Sequence, residues 1–328
     1  MVSFEMMSIT KERDWIDALE ARLGSNAFIR RKQIEERILR TRGTSSKYRG
    51  MGMMRSRIFL FRSVLRVVGL YERGFRNYLD IQIVEREVLL PGLPQTFDGF
   101  RILQLSDLHF TLSEQFLEAL LFRLKRISDE MAPCDVAVFT GDYCATVGHN
   151  HVQVLEDMAR VLNTLKLPSW GVLGNYDFME LVPSLERLGL RVLLNEHAEI
   201  KKGEERLFIC GVDDPALFQT QDPLLARQGI LRNECTILLA HSPQISKETA
   251  MLDYSLLLSG HTHGGQVCLP GGRPVINKTH VASTLMRGGW QEGRLLGYTS
   301  PGTGASQIPV RLNCPGEITI HTLRHLPI

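Results

Sequence analysis

The sequence has no CxxC motif and no close pairing among its six cysteines, at positions 134, 144, 210, 235, 268 and 314. That argues against a thiolate zinc knuckle or a disulfide framework. Several of the six sit in apolar runs such as LFIC and RNECTILLA, so buried free thiols in a reducing compartment are expected. Long hydrophobic runs are missing too. The longest uncharged apolar stretch near the N-terminus is IFLF, far short of the ~20 residues that span a bilayer. The opening MVSFEMMSITKERDW becomes charged too soon for a secretory leader. These absences lead to the expectation of a cytoplasmic protein. Internal repeats and low-complexity segments are absent as well, and the formal net charge is only +2. With 44% hydrophobic and 23% charged residues, the composition is that of a globular protein, and 328 residues can bury a large core.

The small net charge conceals an uneven distribution. Residues 1–80 hold 17 Lys/Arg against 9 Asp/Glu, whereas residues 81–328 hold 21 against 27. The first segment reads as a basic helical extension and the second as a separate, larger domain. Ser25 and Gly43 bracket one helix, and GTSSKYRGMGMM reads as a flexible joint. The next stretch, RSRIFLFRSVLRVVGLYERGFRNYL, reads as a basic amphipathic helix. At roughly 100° per residue, Arg55, Arg62, Arg66 and Arg73 share a narrow stripe opposite Phe61, Val64, Leu65, Val67, Val68 and Tyr71. Such a helix suits an anionic membrane surface, although a solvated face packed on the rest of the protein would read the same way. The stripe lacks the interleaved aromatics of a nucleic-acid site, so no nucleic-acid partner is expected.

After residue 80 short β-rich runs alternate with helical stretches. IQIVEREVLL, FRILQLSD, CDVAVFTGD, SWGVLGNYD, ERLFICGVDD, ECTILLAHS, YSLLLSGHTH, RLLGYTS and EITIHTL read as strands, several apolar enough to be buried on both faces. TLSEQFLEALLFRLKRIS, HVQVLEDMARVLNTL and LVPSLERLG have helical periodicity. The pattern predicts α/β architecture with one large sheet or a pair.

Residues suited to metals follow one strand after another. Asp107 and His109 follow RILQLS, Asp142 follows VAVFTG, Asn175 follows WGVLG, His241 follows TILLA, and His261 and His263 follow LLLSG. Beyond the carboxyl ends of parallel strands all seven can converge. Imidazole, carboxylate and amide oxygen without thiolate favour Mn²⁺, Fe²⁺ or Zn²⁺. Seven ligands exceed the need of one open catalytic ion and suit two ions about 3.5 to 4 Å apart that share a carboxylate. His149, His151, His197, His280, His321 and His325 have no such context and read as ordinary core or surface histidines. Cys144 lies close to Asp142, but the ligand sets are already complete without it.

DLH at 107–109, GD at 141–142, GN at 174–175, His241 and GHTHGGQ at 260–266 resemble, in order and spacing, the calcineurin-like metallophosphoesterases. The resemblance covers about residues 82–326 and implies a two-sheet β-sandwich flanked by helices. It also implies that Asp107, His109, Asp142 and His263 hold one metal, and Asp142, Asn175, His241 and His261 the other, Mn²⁺ being favoured. Asp107, Asp142 and Asn175 would be the catalytic residues, with a bridging hydroxide attacking phosphorus.

Two departures from the family pattern matter. GDxxD reads GDYCA, which loses an Asp, at Ala145, that is not a ligand. GNHD reads GNYD, so Tyr176 replaces the His credited with protonating the leaving oxygen, and Asp177 matches the carboxylate that orients that His. An alkoxide needs that proton, but a phosphate leaves as a stable anion, so the exchange points to a pyrophosphate substrate. Tyr176 and Asn175 would contact the substrate, although a packed aromatic would also explain Tyr176. Chain size, the basic N-terminus and the closing TSPGTGASQIPVRLNCPGEITIHTL resemble the membrane-associated, chlamydial-type UDP-2,3-diacylglucosamine pyrophosphatases of lipid A synthesis. That implies a lipid-linked nucleotide-sugar substrate at the cytoplasmic face of the inner membrane, with the protein bound peripherally. The alternatives are a broader phosphodiesterase on nucleotides or phospholipid headgroups, and a membrane scaffold with a vestigial metal site. Arg287 and Arg311 lie near the motifs and are expected to be able to meet phosphates.

Overall fold

The computed structural model describes residues 9–43, 48–147, 151–275, 279 and 281–326. Among them the strands are β1 (Gln82–Pro91), β2 (Arg101–Leu105), β3 (Val136–Phe139), β4 (Ser169–Gly171), β5 (Leu190–Val192), β6 (Glu196–Lys202), β7 (Glu205–Gly211), β8 (Thr236–Leu239), β9 (Leu256–Ser259), β10 (Gly288–Glu292), β11 (Leu295–Thr299) and β12 (Glu317–Leu326). They form two mixed six-stranded sheets, ordered β1-β12-β2-β3-β4-β5 and β10-β11-β9-β8-β7-β6. In the first sheet β2, β3, β4 and β5 are parallel neighbours, and in the second β7, β8, β9 and β11 are.

Period-two alternation explains why the apolar runs became inner strands. In β3, Val136 and Val138 face the space between the sheets, while Ala137 and Phe139 face the helices outside. In the opposite sheet, Ile237, Leu239, Leu256 and Leu258 complete that inner layer, and Leu238 and Leu257 point to the far side. Helices α1 (Ile9–Leu23), α2 (Ser25–Gly43), α3 (Tyr48–Val67), α4 (Tyr71–Leu79), α5 (Glu114–Glu130), α6 (His151–Leu165) and α7 (Val182–Arg187) complete the main frame. The fold is the expected two-sheet α/β sandwich.

The N-terminal helices lie against the sheets. Leu19, Leu23 and Phe28 join the same buried cluster as Leu103, Phe139 and Leu190. Arg22 of α1 pairs with Glu186 at 3.0 Å and Glu196 at 2.6 Å.

The single helix expected over RSRIFLFRSVLRVVGLYERGFRNYL is corrected by the structure. It breaks at Gly69, whose φ of +71° is left-handed, and restarts as α4. Arg73 therefore belongs to a different helix from Arg62 and Arg66, which lean over the Tyr71 ring at 5.2 and 4.8 Å. The side chain of Arg55 lies outside the described residues, as do residues 44–47 of the expected joint, and from Tyr48 that joint is already helix. Of the apolar face, Leu65 and Tyr71 are buried, but Val64, Val67 and Val68 are exposed, together with Phe59 and Leu60.

The histidines without motif context have ordinary surroundings. His321 is fully buried against Gln104 Oε1 at 2.9 Å, and His197 and His325 bond to the carbonyls of Ala226 and Leu93. His151 lies 3.1 Å from Glu180. His149 and His280 fall outside the described residues.

On α2, the Glu35 side chain is 12% exposed beside Arg31, and its Oε1 accepts the Met179 N–H at 3.0 Å. Burial, with a contribution from Asp213, pushes its carboxyl from an ordinary 4.5 up to about 7, against the pull of Arg31. In that window the folded protein holds a proton that the unfolded chain has released, so stability falls as pH rises through it. Glu35→Gln keeps the acceptor oxygen and removes the titration. Relative to wild type, it should therefore gain about 2–3 kcal/mol between about pH 5 and about pH 8. Denaturant melts across that range measure this, and a constant difference would contradict it.

Candidate metal centre

All seven residues expected to converge stand just beyond strand ends. Asp107 and His109 follow β2, Asp142 follows β3, Asn175 follows β4, His241 follows β8, and His261 and His263 follow β9. The structure brings them together across the two sheets. His263 Nε2 lies 3.3 Å from Asp107 Oδ1 and 3.1 Å from His109 Nε2, and the latter is 3.5 Å from Asp142 Oδ2. On the other side His241 Nε2 is 3.3 Å from Asp142 Oδ2, 3.0 Å from Asn175 Oδ1 and 3.2 Å from His261 Nδ1. Asp107, His109, Asp142, His241 and His263 are buried, whereas Asn175, Tyr176 and His261 are partly exposed and form the mouth.

Local backbone chemistry permits this approach. A Cβ on Gly174 would stand 2.4 Å from the Asp142 backbone nitrogen, and one on Gly260 would meet Ser106 Oγ at 1.9 Å and Asp107 Oδ2 at 2.3 Å. The glycines of GN and GH therefore admit the neighbouring loop where any side chain would exclude it. Asp107, His109, Asp142, His261 and His263 all have left-handed backbones, with φ of 52°, 44°, 59°, 72° and 51°. Such conformations cost on the order of 1–3 kcal/mol each and persist where the surroundings impose them.

The donor set fits a divalent cation. His109 Nδ1 donates to the Cys144 carbonyl and His241 Nδ1 to the Thr140 carbonyl, each at 2.8 Å. A carbonyl only accepts, so each neutral ring carries its proton on Nδ1 and turns the Nε2 lone pair inward. Those lone pairs face the carboxylates of Asp107 and Asp142, acceptor against acceptor, which calls for positive charge between them. Two groups have ligand atoms within 4.8 Å of one another: Asp107, His109 and His263, and Asp107, Asp142 and His241. The same demand for positive charge appears in the titration. Burial would raise the Asp142 carboxyl, but His241 and His109 hold it at about 2. Burial would likewise depress the His241 imidazole, but Asp142 lifts it to about 10.

Several contacts at the site had no signal in the sequence. Ser106 Oγ donates to Asp107 Oδ2 at 2.6 Å. Asp177, which matches the family carboxylate that orients the missing His, here accepts the backbone N–H groups of Asp142, Tyr143, Cys144 and Gly174 at 2.8 to 3.1 Å and ties the β3 and β4 loops together. Arg311 is corrected as well, because it is fully buried. Its Nε donates to Gly304 O, Nη1 to Cys314 O and Pro315 O, and Nη2 to Pro301 O and Gly302 O. All five guanidinium donors are used, leaving none for a phosphate, whereas Arg287 is exposed.

A family model for the calcineurin-like phosphoesterases matches residues 100–265, which hold all seven convergent residues. The chain belongs to the calcineurin-like phosphoesterase family. It is 30% identical over 262 residues to the metallophosphoesterase YkuE of Bacillus subtilis, covering 76% of this chain and 89% of that protein. A transmembrane protein with metallophosphoesterase domain from Danio rerio is 29% identical over 73% of this chain, but the match spans only 56% of that relative's length. Phosphodiesterase YaeI of Escherichia coli is 28% identical over 67% of this chain and 81% of its own. As a calcineurin-like phosphoesterase the chain is a phosphoester hydrolase with a dinuclear metal site. Among the described residues no helix is long and apolar enough to cross a membrane.

Proposed function

We propose that this calcineurin-like hydrolase cleaves the pyrophosphate bond of UDP-2,3-diacylglucosamine, giving UMP and 2,3-diacylglucosamine 1-phosphate, at the cytoplasmic face of the inner membrane. Asp107, His109, Asp142 and His263 hold one ion, and Asp142, Asn175, His241 and His261 the other, with Mn²⁺ the preferred metal. When bound, two such ions polarise the phosphoryl oxygens and make a nucleophile of water at neutral pH. Asn175 and Tyr176 at the mouth receive the scissile phosphate.

Tyr176 carries the choice of bond. Its ring stands edge-on to His109 at 5.1 Å, and its hydroxyl lies against Ser306 and Gln307. Burial, then Asp142, raises its phenol above the ordinary value, so it keeps its proton at neutral pH. It can donate a hydrogen bond to a phosphoryl oxygen, but it is a poor general acid beside an imidazole. A departing phosphate anion needs no such acid, whereas an alkoxide does.

Helix α3 supports a lipid-borne substrate. Phe59, Leu60, Val64 and Val67 are exposed, Val67 by 86%, and lie beside Arg62 and Arg66 on a helix without Asp or Glu, with exposed Val68 directly after it. An apolar stripe edged by arginine suits an anionic bilayer surface. The buried side of α3 rests on Ile308, Val310 and Leu312, directly after Ser306 and Gln307, so lipid at α3 would adjoin the mouth.

One assay tests both parts. UDP-2,3-diacylglucosamine in anionic vesicles and a soluble chromogenic phosphodiester are each incubated with protein and Mn²⁺. UMP release from the first, lost in Asp107→Asn and His263→Ala and reduced in Arg62→Gln/Arg66→Gln together with vesicle binding, is the expected result. Tyr176→His should add phosphomonoesterase activity. Turnover of the soluble diester alone would overturn this reading in favour of a broader phosphodiesterase, the activity in the name of the Escherichia coli relative.

A further inference from the structure

Arg31 is the one arginine besides Arg311 with no exposed surface among the described residues, yet it lies on α2, outside the sandwich. Its Nη2 donates to the Asp177 carbonyl at 2.6 Å and its Nη1 lies 3.2 Å from Asp213 Oδ1. The guanidinium stacks 3.4 Å from the centre of the Phe218 ring, while Nε bonds Glu35 Oε1 at 3.0 Å. Asp177 belongs to the loop after β4, and Asp213 and Phe218 to the loop after β7. One side chain therefore joins a loop from each sheet. The Glu35 oxygen that holds it also accepts the Met179 N–H, giving α2 a second grip on the β4 loop.

Asp177 stands two residues after Asn175, and its carboxylate carries the Asp142 and Gly174 N–H groups. A shift of Asp177 would thus move both Asn175 and Asp142 relative to His241, which comes from the opposite sheet. The planar guanidinium can hold the two loops at fixed separation because one rigid group is at once hydrogen-bonded to the Asp177 carbonyl, ion-paired with Asp213 and stacked on Phe218, which a single ammonium cannot do. We propose that Arg31 is a positioning residue: by tying Asp177 to Asp213 it sets Asn175 and Asp142 against His241 and so governs metal affinity in that half of the site. The inference rests on the assignment of Asp142, Asn175, His241 and His261 to one ion and not on the substrate.

The test is calorimetric titration of the intact chain with Mn²⁺ alone, with thermal melts run in parallel. Wild type should bind two ions. Arg31→Gln should weaken the ion held with Asn175, His241 and His261 by ~10–100-fold, as loss of a support behind a metal ligand does, and the other, which shares only Asp142 with it, by less. Arg31→Lys should recover part of the loss. Arg22→Gln removes a comparable tether of α1 that touches Glu186 and Glu196 instead of the site loops, so it should lower Tm while keeping both affinities. Should Arg31→Gln not fold, Asp213→Asn, which leaves Arg31 in place, should weaken the same ion. Arg31→Gln or Asp213→Asn with lowered Tm but both wild-type affinities would overturn the positioning role. Failure of wild type to bind a second ion would overturn it together with the metal assignment, whereas the UMP assay bears only on the substrate.

Discussion

Asp142→Ala should lower phosphoester hydrolysis by at least ~10³-fold, with bound Mn²⁺ falling from two ions to one or none. The factor follows from transition-state charge stabilisation worth several kcal/mol, at about 1.4 kcal/mol per tenfold in rate. The Asp142 carboxylate faces histidines from both halves of the centre. Its Oδ2 lies 3.5 Å from His109 and 3.3 Å from His241, and its Oδ1 accepts the Tyr176 N–H at 2.8 Å. Alanine removes the charge that the buried imidazoles face and also loosens the β4 loop. Metal analysis and single-substrate kinetics on the purified variant measure the outcome. Retention of two ions with near-normal turnover would mean that the carboxylate does not bridge.

The second large effect is on stability. Arg311→Ala should cost on the order of 4–5 kcal/mol and lower Tm by roughly 10 °C, since it leaves buried carbonyls without donors at about 1 kcal/mol or more each. The side chain holds residues 301–304 in a loop that lies on the first metal-binding turn. There Thr303 N donates to Ser106 O at 2.8 Å and Gly304 N to Asp107 O at 3.0 Å. Arg311→Lys keeps the charge but has three donors for five acceptors, so it should fall between. Scanning calorimetry resolves the series, and a wild-type Tm for the alanine variant would show that the loop holds without the arginine.

How far the sequence was legible follows the same physics. β2, β3, β8 and β9 were plain because strands buried on both faces need continuous apolar runs, and the ligand-bearing turns sit directly after them. β5, β6 and β10 were not, because LRV, EHAEIKK and GGWQE lie at sheet edges, where alternate residues meet solvent and the apolar run disappears. The break at Gly69 was hidden inside a good helical period, since one glycine between apolar residues reads as tolerated. Arg31 was least legible of all. In FIRRKQ it looks like one more solvated charge, and its partners at 177 and 213 are set by the fold rather than by spacing. The five left-handed residues at the centre were equally silent, because Asp and His carry no turn signature as strong as glycine's.

Strand β12 has a consequence in time rather than in space. It is parallel to β1 along its whole length and antiparallel to β2, with Leu103 opposite Ile320. The strand that leads into Asp107 is therefore made long before its neighbour β12. At 5–20 residues per second the wait lasts ~10 s or more, and throughout it one edge of the first sheet has no partner of its own. An open edge is a template for strands of other chains. Yield from cells should thus depend on how quickly residues 317–326 follow, and slow synthesis should favour aggregates over the closed sandwich.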